Sequence, residues 1–533
     1  MMTPRQMLLV ALLLALPFVP ASAQRGYSRA QYNMLDEART LMEAGQWSDA
    51  YKIYKRLLNA DTTSAETYYG IGMCEANMPD KRAMASSHFE IAVRHGHQEA
   101  LYRLALERHR QERFGEELAL LEQYRSRNGR DIPREEIDRQ IAMAHTASSL
   151  TADPVRLKIR NLGPAVNSPA HDYCPVVTAD GSRMFFTSRR AGTMGALKDA
   201  SDQFYEDIYV SEQQGGQWGA ARNVGAPINS IMQDATVGLS PDGNEMIIYR
   251  AGTDNPAGEL LISQRAQGIW STPARMTDKI NSKYHEPSAA ISPDGSEIYF
   301  TSDRPGGFGG RDLYRIRRLP NGQWSEPLNL GPEINTPYDE DAPFLHSDGT
   351  TLFFSSNGHN TMGGFDIFKA ALLDPDMNVW EKPVNLGYPL NTVNDDIYFS
   401  LSEDGRTGYF SSERPGGLGG QDIHEVIFPV SQVEYQLVQG VVTDGNEQPL
   451  KARIVVTDTR TETVFGIYNT NGRTGRYIMA IRPGQPYQLD VSAEGYVDRE
   501  LNLLTTDEDV VDLMMLDIKL APGEKTAGAL AKP

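Results

Sequence analysis

The stretch AAISPDGSEIYFTS, residues 289–302, decides the fold. Its apolar start reads as a buried strand. Ser-Pro-Asp-Gly then reverses the chain: proline presets φ for the first turn position, aspartate tolerates the second, and glycine takes the left-handed position that follows. An alternating strand, Glu297-Ile298-Tyr299-Phe300-Thr301, returns. Four more segments align on the same turn: VVTADGSRMFFTS (176–188), VGLSPDGNEMIIY (237–249), FLHSDGTTLFFSS (344–356) and FSLSEDGRTGYFSS (399–412). Their aspartates, Asp180, Asp242, Asp294, Asp348 and Asp404, are spaced by 62, 52, 54 and 56 residues.

Around each turn the chain repeats further parts. A third strand follows a loop (DIYVSEQ, DLYRIRR, DIFKAAL, DIHEVIF), then a tryptophan with a nearby proline (QWSEP, VWEKP), then a connector (NVGAPINS, NLGPEINT, NLGYPLNT). A four-stranded unit of this kind cannot bury both faces alone, so copies stack radially into a β-propeller, here over residues 151–430. Residues 154–167, PVRLKIRNLGPAVN, carry an outer strand and connector with no unit before them. The last unit ends near Phe428 without its own outer strand and can borrow Val155–Arg160. Five blades result, with a sixth, degenerate blade as the alternative. The Ser-Pro-Asp-Gly turns resemble the WD40-like repeats of TolB-type periplasmic propellers.

Two readings concern chemistry. SERPGGLGGQDIH (412–424) invites comparison with a phosphate-binding loop, but SDRPGGFGGRDLY (302–314) and SNGHNTMGGFDIF (356–368) repeat it. A phosphate loop opens a helix whose N-terminus receives the anion. These copies lie between strands, so they read as turns, with Asp207, Asp312, Asp366 and Asp422 accepting backbone N–H bonds. Second, an acid stands eight residues before each turn aspartate: Asp172, Asp234, Glu286, Glu340 and Asp396. These five carboxylates are expected to circle one mouth of the central channel. Like charges repel without compensation. The ring therefore holds a cation such as calcium or receives a basic segment, or else each acid caps local N–H groups or pairs with a neighbour such as Arg189 or Arg304.

Outside the propeller the texture changes. Arg5, the apolar run Met7–Val19 and Ala21-Ser22-Ala23 form a signal peptide over residues 1–23. No later segment is long and apolar enough to cross a bilayer. Residues 24–150 have helical period, with Ala50, Tyr54 and Leu57 echoed by Ala85, Phe89 and Ala92, and more weakly by Leu118 and Leu121. This pattern resembles tetratricopeptide repeats, about three of them, whose concave face implies a protein partner. Residues 433–521 read as short alternating strands with turns at Asp444-Gly445, Asn471-Gly472 and Pro483-Gly484. They resemble a carboxypeptidase regulatory-like sandwich, and a flexible tail, 522–533, follows. The two cysteines, Cys74 and Cys174, fall in different domains and are expected to be buried free thiols.

The net charge of −19 argues against a nucleic-acid partner. No G-x-S-x-G elbow or H-E-x-x-H occurs, so no catalytic residues are assigned. The order of helical repeats, propeller and sandwich resembles PorE-type envelope proteins associated with type IX secretion. That resemblance implies a periplasmic, non-catalytic adaptor bound to outer-membrane or secretion proteins. The OmpA-like domain that usually follows in that family has no counterpart here, so peptidoglycan contact is not carried over. A glycan-binding protein and a metal-dependent propeller enzyme are the alternatives.

Overall fold

The computed structural model describes residues 27–127, 131–178, 180–199, 201–240, 242–252, 255–402, 405–428, 436–460, 463–482, 484–504 and 514–523. The expected signal peptide, Asp404 and most of the tail lie outside them. The chain divides into two compact units between Asp153 and Pro154.

The first unit is helical. Its helices are α1 (Arg29–Glu43), α2 (Trp47–Ala60), α3 (Ala65–Ala76), α4 (Arg82–Arg94), α5 (Glu99–Arg110), α6 (Phe114–Ser126) and α7 (Arg134–Ala152). Each packs on the next, and the closest pairs are α1/α2, α3/α4 and α5/α6, with α7 last. The aromatic of one helix fills a groove that a glycine leaves open. A Cβ on Gly70 would stand 2.2 Å from the Tyr54 ring, and one on Gly72 2.7 Å from Phe89. Ala50, Tyr54, Leu57, Ala85, Phe89 and Ala92 are all buried, as their spacing requires of a core-facing stripe.

The second unit is all-β. Sheet 1 orders β2 (Asp172–Val177), β3 (Arg183–Ser188), β4 (Asp207–Gln214) and β5 (Gln217–Trp218), with β6 (Arg222–Asn223) also on β4. Sheet 2 repeats this with β7 (Gln233–Leu239), β8 (Glu245–Gly252), β9 (Asn255–Ala266), β10 (Ile269–Trp270) and β11 (Ala274–Arg275). Sheet 3 holds β12 (Ala289–Ile291), β13 (Glu297–Ser302), β14 (Asp312–Arg317) and β15 (Leu328–Asn329). Sheet 4 holds β16 (Glu340–Leu345), β17 (Thr351–Ser356), β18 (Asp366–Asp374), β19 (Val379–Trp380) and β20 (Val384–Asn385). Sheet 5 holds β21 (Asp396–Leu401), β22 (Thr407–Ser412) and β23 (Asp422–Ile427), and its fourth strand is β1 (Lys158–Asn161), antiparallel to β23. First strands touch in sequence, β2 to β7 to β12 to β16 to β21, and β21 touches β2 again. The five sheets therefore form a closed cycle.

One set of side chains makes every junction alike. Asn229 accepts the N–H of Ile208 and donates to its carbonyl, both at 2.9 Å. Asn281 does the same for Leu260, Asn335 for Leu313, Asn391 for Ile367 and Asn167 for Ile423. The amide thus acts as one residue of a neighbouring strand. Because Asn167 lies near the start of the unit and Ile423 in its fifth sheet, the closing junction uses the same bonds as the other four.

The Asp-Gly turns have the expected geometry, with Gly181, Gly243, Gly295 and Gly349 at φ of +66°, +66°, +69° and +72°. The glycine-rich segments are turns between second and third strands. Gly309 and Gly419 back onto the connector of the next sheet, where a Cβ would meet carbonyl oxygens at 2.2 and 2.0 Å. Asp312 accepts from Phe308 N and Asp422 from Leu418 N. Asp207 and Asp366 likewise accept from Met194 N and Met362 N.

Beyond the cycle, two sheets enclose one core. In one, β24 (Gln436–Thr443) lies between β27 (Arg476–Ile481) and the short parallel strands β30 (Met514–Met515) and β31 (Ile518–Lys519). The other orders β26 (Thr463–Asn469), β25 (Ala452–Asp458), β28 (Pro486–Ala493) and β29 (Arg499–Leu504). Tyr477 and Tyr487 are buried in this core and Tyr496 packs against it.

Candidate functional site

The five repeated acids sit at or just before the first strand of each sheet, and all five side chains are buried. Each accepts from the residue four positions earlier. Ser168 bonds Asp172 through both N–H and hydroxyl, Ser230 bonds Asp234, Ser282 bonds Glu286, Thr336 bonds Glu340 and Thr392 bonds Asp396. Four of the five also meet a guanidinium: Arg190 with Asp172, Arg250 with Asp234, Arg304 with Glu286 at 3.3 Å and Arg414 with Asp396 at 2.8 Å. The same four arginines donate to a connector carbonyl, of Val166, Ile228, Ile280 and Leu390 respectively. Each acid is thus engaged within its own sheet.

Arg304 stands where the sequence suggested, but the partner of Asp172 is Arg190. Arg189 turns instead to Asp199 and Glu206. Strand β3 ends at Ser188, so the two-residue alternation that would have chosen between adjacent arginines stops there. The arginine two residues past the strand-ending serine was a readable signal, present as Ser188-x-Arg190, Ser302-x-Arg304 and Ser412-x-Arg414.

Among the described residues no cation pairs with Glu340. Burial, reinforced by Asp312 and opposed by the bonds from Thr336 and Ser356, pushes it up to about 7. Burial also raises Asp234 and Asp396, with the arginine beside each opposing it. The strand-3 aspartates sit at the same junctions. Burial pushes Asp207 up to about 6, with Asp234 nearby, and Asp366 well above the carboxylate range, with Asp396 nearby. Among the described residues no three His, Cys, Asp or Glu side chains are grouped to hold a metal ion.

A second set of polar residues does not repeat. Tyr173 and Asp341 follow ring acids by one residue, Tyr398 by two, and Glu206 and Arg311 immediately precede third strands. These elements start at the same edge of the cycle, where the set collects. Arg311 donates to Asp341 at 2.6 Å and lies 3.5 Å from Asp339. Ser288 donates to the other Asp341 oxygen. Arg189 and Glu206 are 4.0 Å apart, and the Tyr173 and Tyr398 rings 5.7 Å apart. Burial lifts both phenols well above their ordinary value, with Glu206 acting on Tyr173 and Asp341 on Tyr398. Bulges follow the acids in sheets 1, 4 and 5, and they put Cys174, Ala342 and Tyr398 at φ of +53°, +51° and +60°. Strain of this kind gathers at functional sites.

Below Tyr398 runs an axial cavity of about 100 Å³, walled by apolar side chains such as Val176, Val237 and Phe399. His346 Nε2, Ser347 Oγ and Ser400 Oγ border it as buried polar atoms without a hydrogen-bond partner among the described residues. Cys174 also lines it, but burial pushes its thiol up to about 12, which leaves little thiolate for nucleophilic chemistry. The cavity can hold water or one small polar group.

No protein-family model matches this chain, and no curated protein matches it. Among solved structures, a glycoside hydrolase aligns over 56% of this chain and 96% of its own at 11% identity, with a TM-score of 0.37. The α-L-arabinanase of Penicillium chrysogenum complexed with arabinobiose aligns over 52% and 99% at 10% identity, TM-score 0.33. The type III secretion translocator chaperone SycD of Yersinia enterocolitica aligns over 24% and 90% at 14% identity, TM-score 0.22. At scores this low the likenesses carry no argument about activity. No described helix is long and apolar enough to cross a membrane.

Proposed function

We infer that this protein is a non-catalytic scaffold of the cell envelope. On this reading a tetratricopeptide-like array holds one protein partner. A five-bladed β-propeller and a regulatory-like sandwich space it from another. Export to the periplasm and association with outer-membrane secretion proteins, of the type IX kind, follow from the signal-peptide reading and the PorE-type order of domains.

The observation that carries the scaffold reading is the use of the repeated acids. All five are buried and tied to backbone and neighbouring side chains of their own sheet, which spends them on architecture. Affinity capture of the mature protein from envelope extracts tests it. Recovery of outer-membrane secretion proteins supports the adaptor, and recovery of glycan alone overturns it.

A second reading rests on the unlike set at the channel end. Two tyrosines beside two arginine–carboxylate pairs suit a polyhydroxylated ligand, such as one sugar of a glycan, through stacking and charge-assisted hydrogen bonds. Calorimetric titration with soluble peptidoglycan fragments distinguishes the two. Binding that disappears in Asp341→Asn favours the glycan reading, and no heat at millimolar fragment removes it.

A further inference from the structure

Five copies of one junction provide an internal control, and the fourth breaks the rule. The strand-ending serine is followed two residues later by arginine in sheets 1, 3 and 5, and in sheet 2 Arg250 serves from the serine's own register position opposite Asp234. In sheet 4 that place is Gly358. A side chain there is excluded, since its Cβ would come 2.1 Å from Thr336 Oγ1. His359 takes over part of the missing role. Its Nε2 donates to the Ile334 carbonyl at 2.8 Å, as the arginines do to theirs. Its ring lies 5.9 Å from Phe354 and 5.3 Å from Phe368, as Arg304 lies over Phe300 and Tyr314. What His359 does not do is meet Glu340. Among the described residues that carboxyl accepts from Thr336 N, Thr336 Oγ1 and Ser356 Oγ alone, all at 2.7 Å, and the charged group across the junction is Asp312, of its own sign. Asp341 beside it is turned to Arg311, and Lys382 and Glu333 act on His359 from farther off.

We propose that the junction between sheets 3 and 4 is a pH-sensitive clasp, closed while Glu340 is a neutral acid and loosened when it ionises. The proton comes from solvent and returns to it. In the neutral form one Glu340 oxygen donates to the Thr336 or Ser356 hydroxyl, and no buried charge stands unmatched. In the ionised form a buried carboxylate has three neutral donors, no cation and Asp312 nearby, and burial of an unpaired charge opposes it. His359 cannot compensate, because burial holds it below its ordinary value. Loosening reaches the channel end. Glu340 N bonds the Arg311 carbonyl and Arg311 N bonds Asp339 Oδ1, each at 2.8 Å, so Asp339, Asp341 and Arg311 shift with the clasp. The clasp holds under either reading of function.

The sign follows from linkage. A carboxyl raised in the folded state binds its proton more tightly there than in the unfolded chain. Its contribution is full below the unfolded value, about 4.3, and is lost as pH rises through the folded value. The test is thermal unfolding between pH 5 and pH 8 of the full chain and of Glu340→Gln, whose amide keeps an acceptor for Thr336 and Ser356. The variant is expected to lose less Tm over that range and to melt above wild type at pH 8. Asp396→Asn, which strands Arg414, is expected to melt lower at both ends. Parallel curves for wild type and Glu340→Gln overturn the proposal. A variant-free reading keeps it testable if Glu340→Gln fails to fold. Hydrogen exchange of wild type, corrected for the intrinsic rate, is expected to show residues 333–345 losing protection from pH 5 to pH 8 while residues 168–172 and 282–286 do not. Equal change in all three segments also overturns it.

Discussion

Replacing Asn391 by alanine tests the junction most directly. Its side chain makes three bonds: Oδ1 accepts from Ile367 N at 2.8 Å, and Nδ2 donates to the Ile367 carbonyl at 2.9 Å and to Asn385 Oδ1 at 2.8 Å. Asn391 and Ile367 are both fully buried, so water does not replace the lost partner. Alanine orphans the Ile367 N–H in the sheet, while the Ile367 carbonyl loses one donor and keeps the bond from Leu386 N at 3.1 Å. One such orphaned group costs about 1–3 kcal/mol, so the loss is roughly 2 kcal/mol before any void is counted. Asn391→Asp is no remedy, because it restores the acceptor and sets a carboxylate against the Ile367 carbonyl. Asn394 is the control: its Nδ2 bonds the Glu413 carbonyl at 2.8 Å on the exposed rim, and Asn394→Ala is expected to cost under about 0.5 kcal/mol. Urea unfolding followed by tryptophan emission reports on the sheets, since Trp380 is buried in sheet 4. An Asn391→Ala midpoint that matches that of Asn394→Ala would refute the reasoning, for it would mean that the amide is not a surrogate strand.

Removing Arg414 by alanine strands Asp396 as an unmatched buried carboxylate and is expected to cost about 3–5 kcal/mol, measured by the same unfolding. Gly70→Ala drives a Cβ into the Tyr54 ring and is expected to lower the helical unit by roughly 1–3 kcal/mol in far-ultraviolet melts, with the sheets unaffected. Because burial raises Asp207 to about 6, its protonated form is favoured on folding; stability falls as pH rises from about 4 to 6, and Asp207→Asn flattens that fall in a Tm–pH series. Calcium at millimolar level is expected to leave Tm unchanged, since the five ring acids are already bonded; an upward shift abolished by Asp172→Asn would show that a site had been missed.

What was legible in the sequence was what repeats. The Asp-Gly turns, the third-strand aspartates and the strand lent from the chain start each follow from spacing and turn chemistry, and β1, Lys158–Asn161, overlaps the expected Val155–Arg160 stretch, starting three residues later and ending one later. The connector ending in Asn-Ser or Asn-Thr was also visible, but its role was not. An amide that imitates a strand is defined by which backbone it faces, and that backbone lies 21 or more residues away. The arginine pairing was half legible. Three sheets spell Ser-x-Arg, while Arg250 does the work from two residues earlier, at the serine's own register position, so a fixed offset misses it. The channel-end set left no mark. Tyr173, Glu206, Arg311, Asp341 and Tyr398 come from four sheets and differ in type, and only closure of the cycle brings them near one axis.

A closed repeat constrains its own polar residues. At every junction a buried acid, a hydroxyl, an asparagine and usually an arginine must satisfy one another, because a buried group left over costs more than the bond it would have made. Most charge that looks chemical in such a chain is therefore structural, and five-fold recurrence is the sign of it. Function is then sought where recurrence fails. It fails twice on the same edge of sheet 4: Asp341 stands where the other sheets carry Tyr173, Ala235, Pro287 and Ile397, and Gly358 stands where three of them carry arginine. The first departure supplies a carboxylate to the axis, and the second removes the cation that would have fixed the acid beside it. If the two were unrelated, restoring a neutral side chain at Glu340 would leave the environment of Arg311 and Asp341 untouched at every pH. Their shared backbone bonds, Glu340 N to Arg311 O and Arg311 N to Asp339, require the opposite.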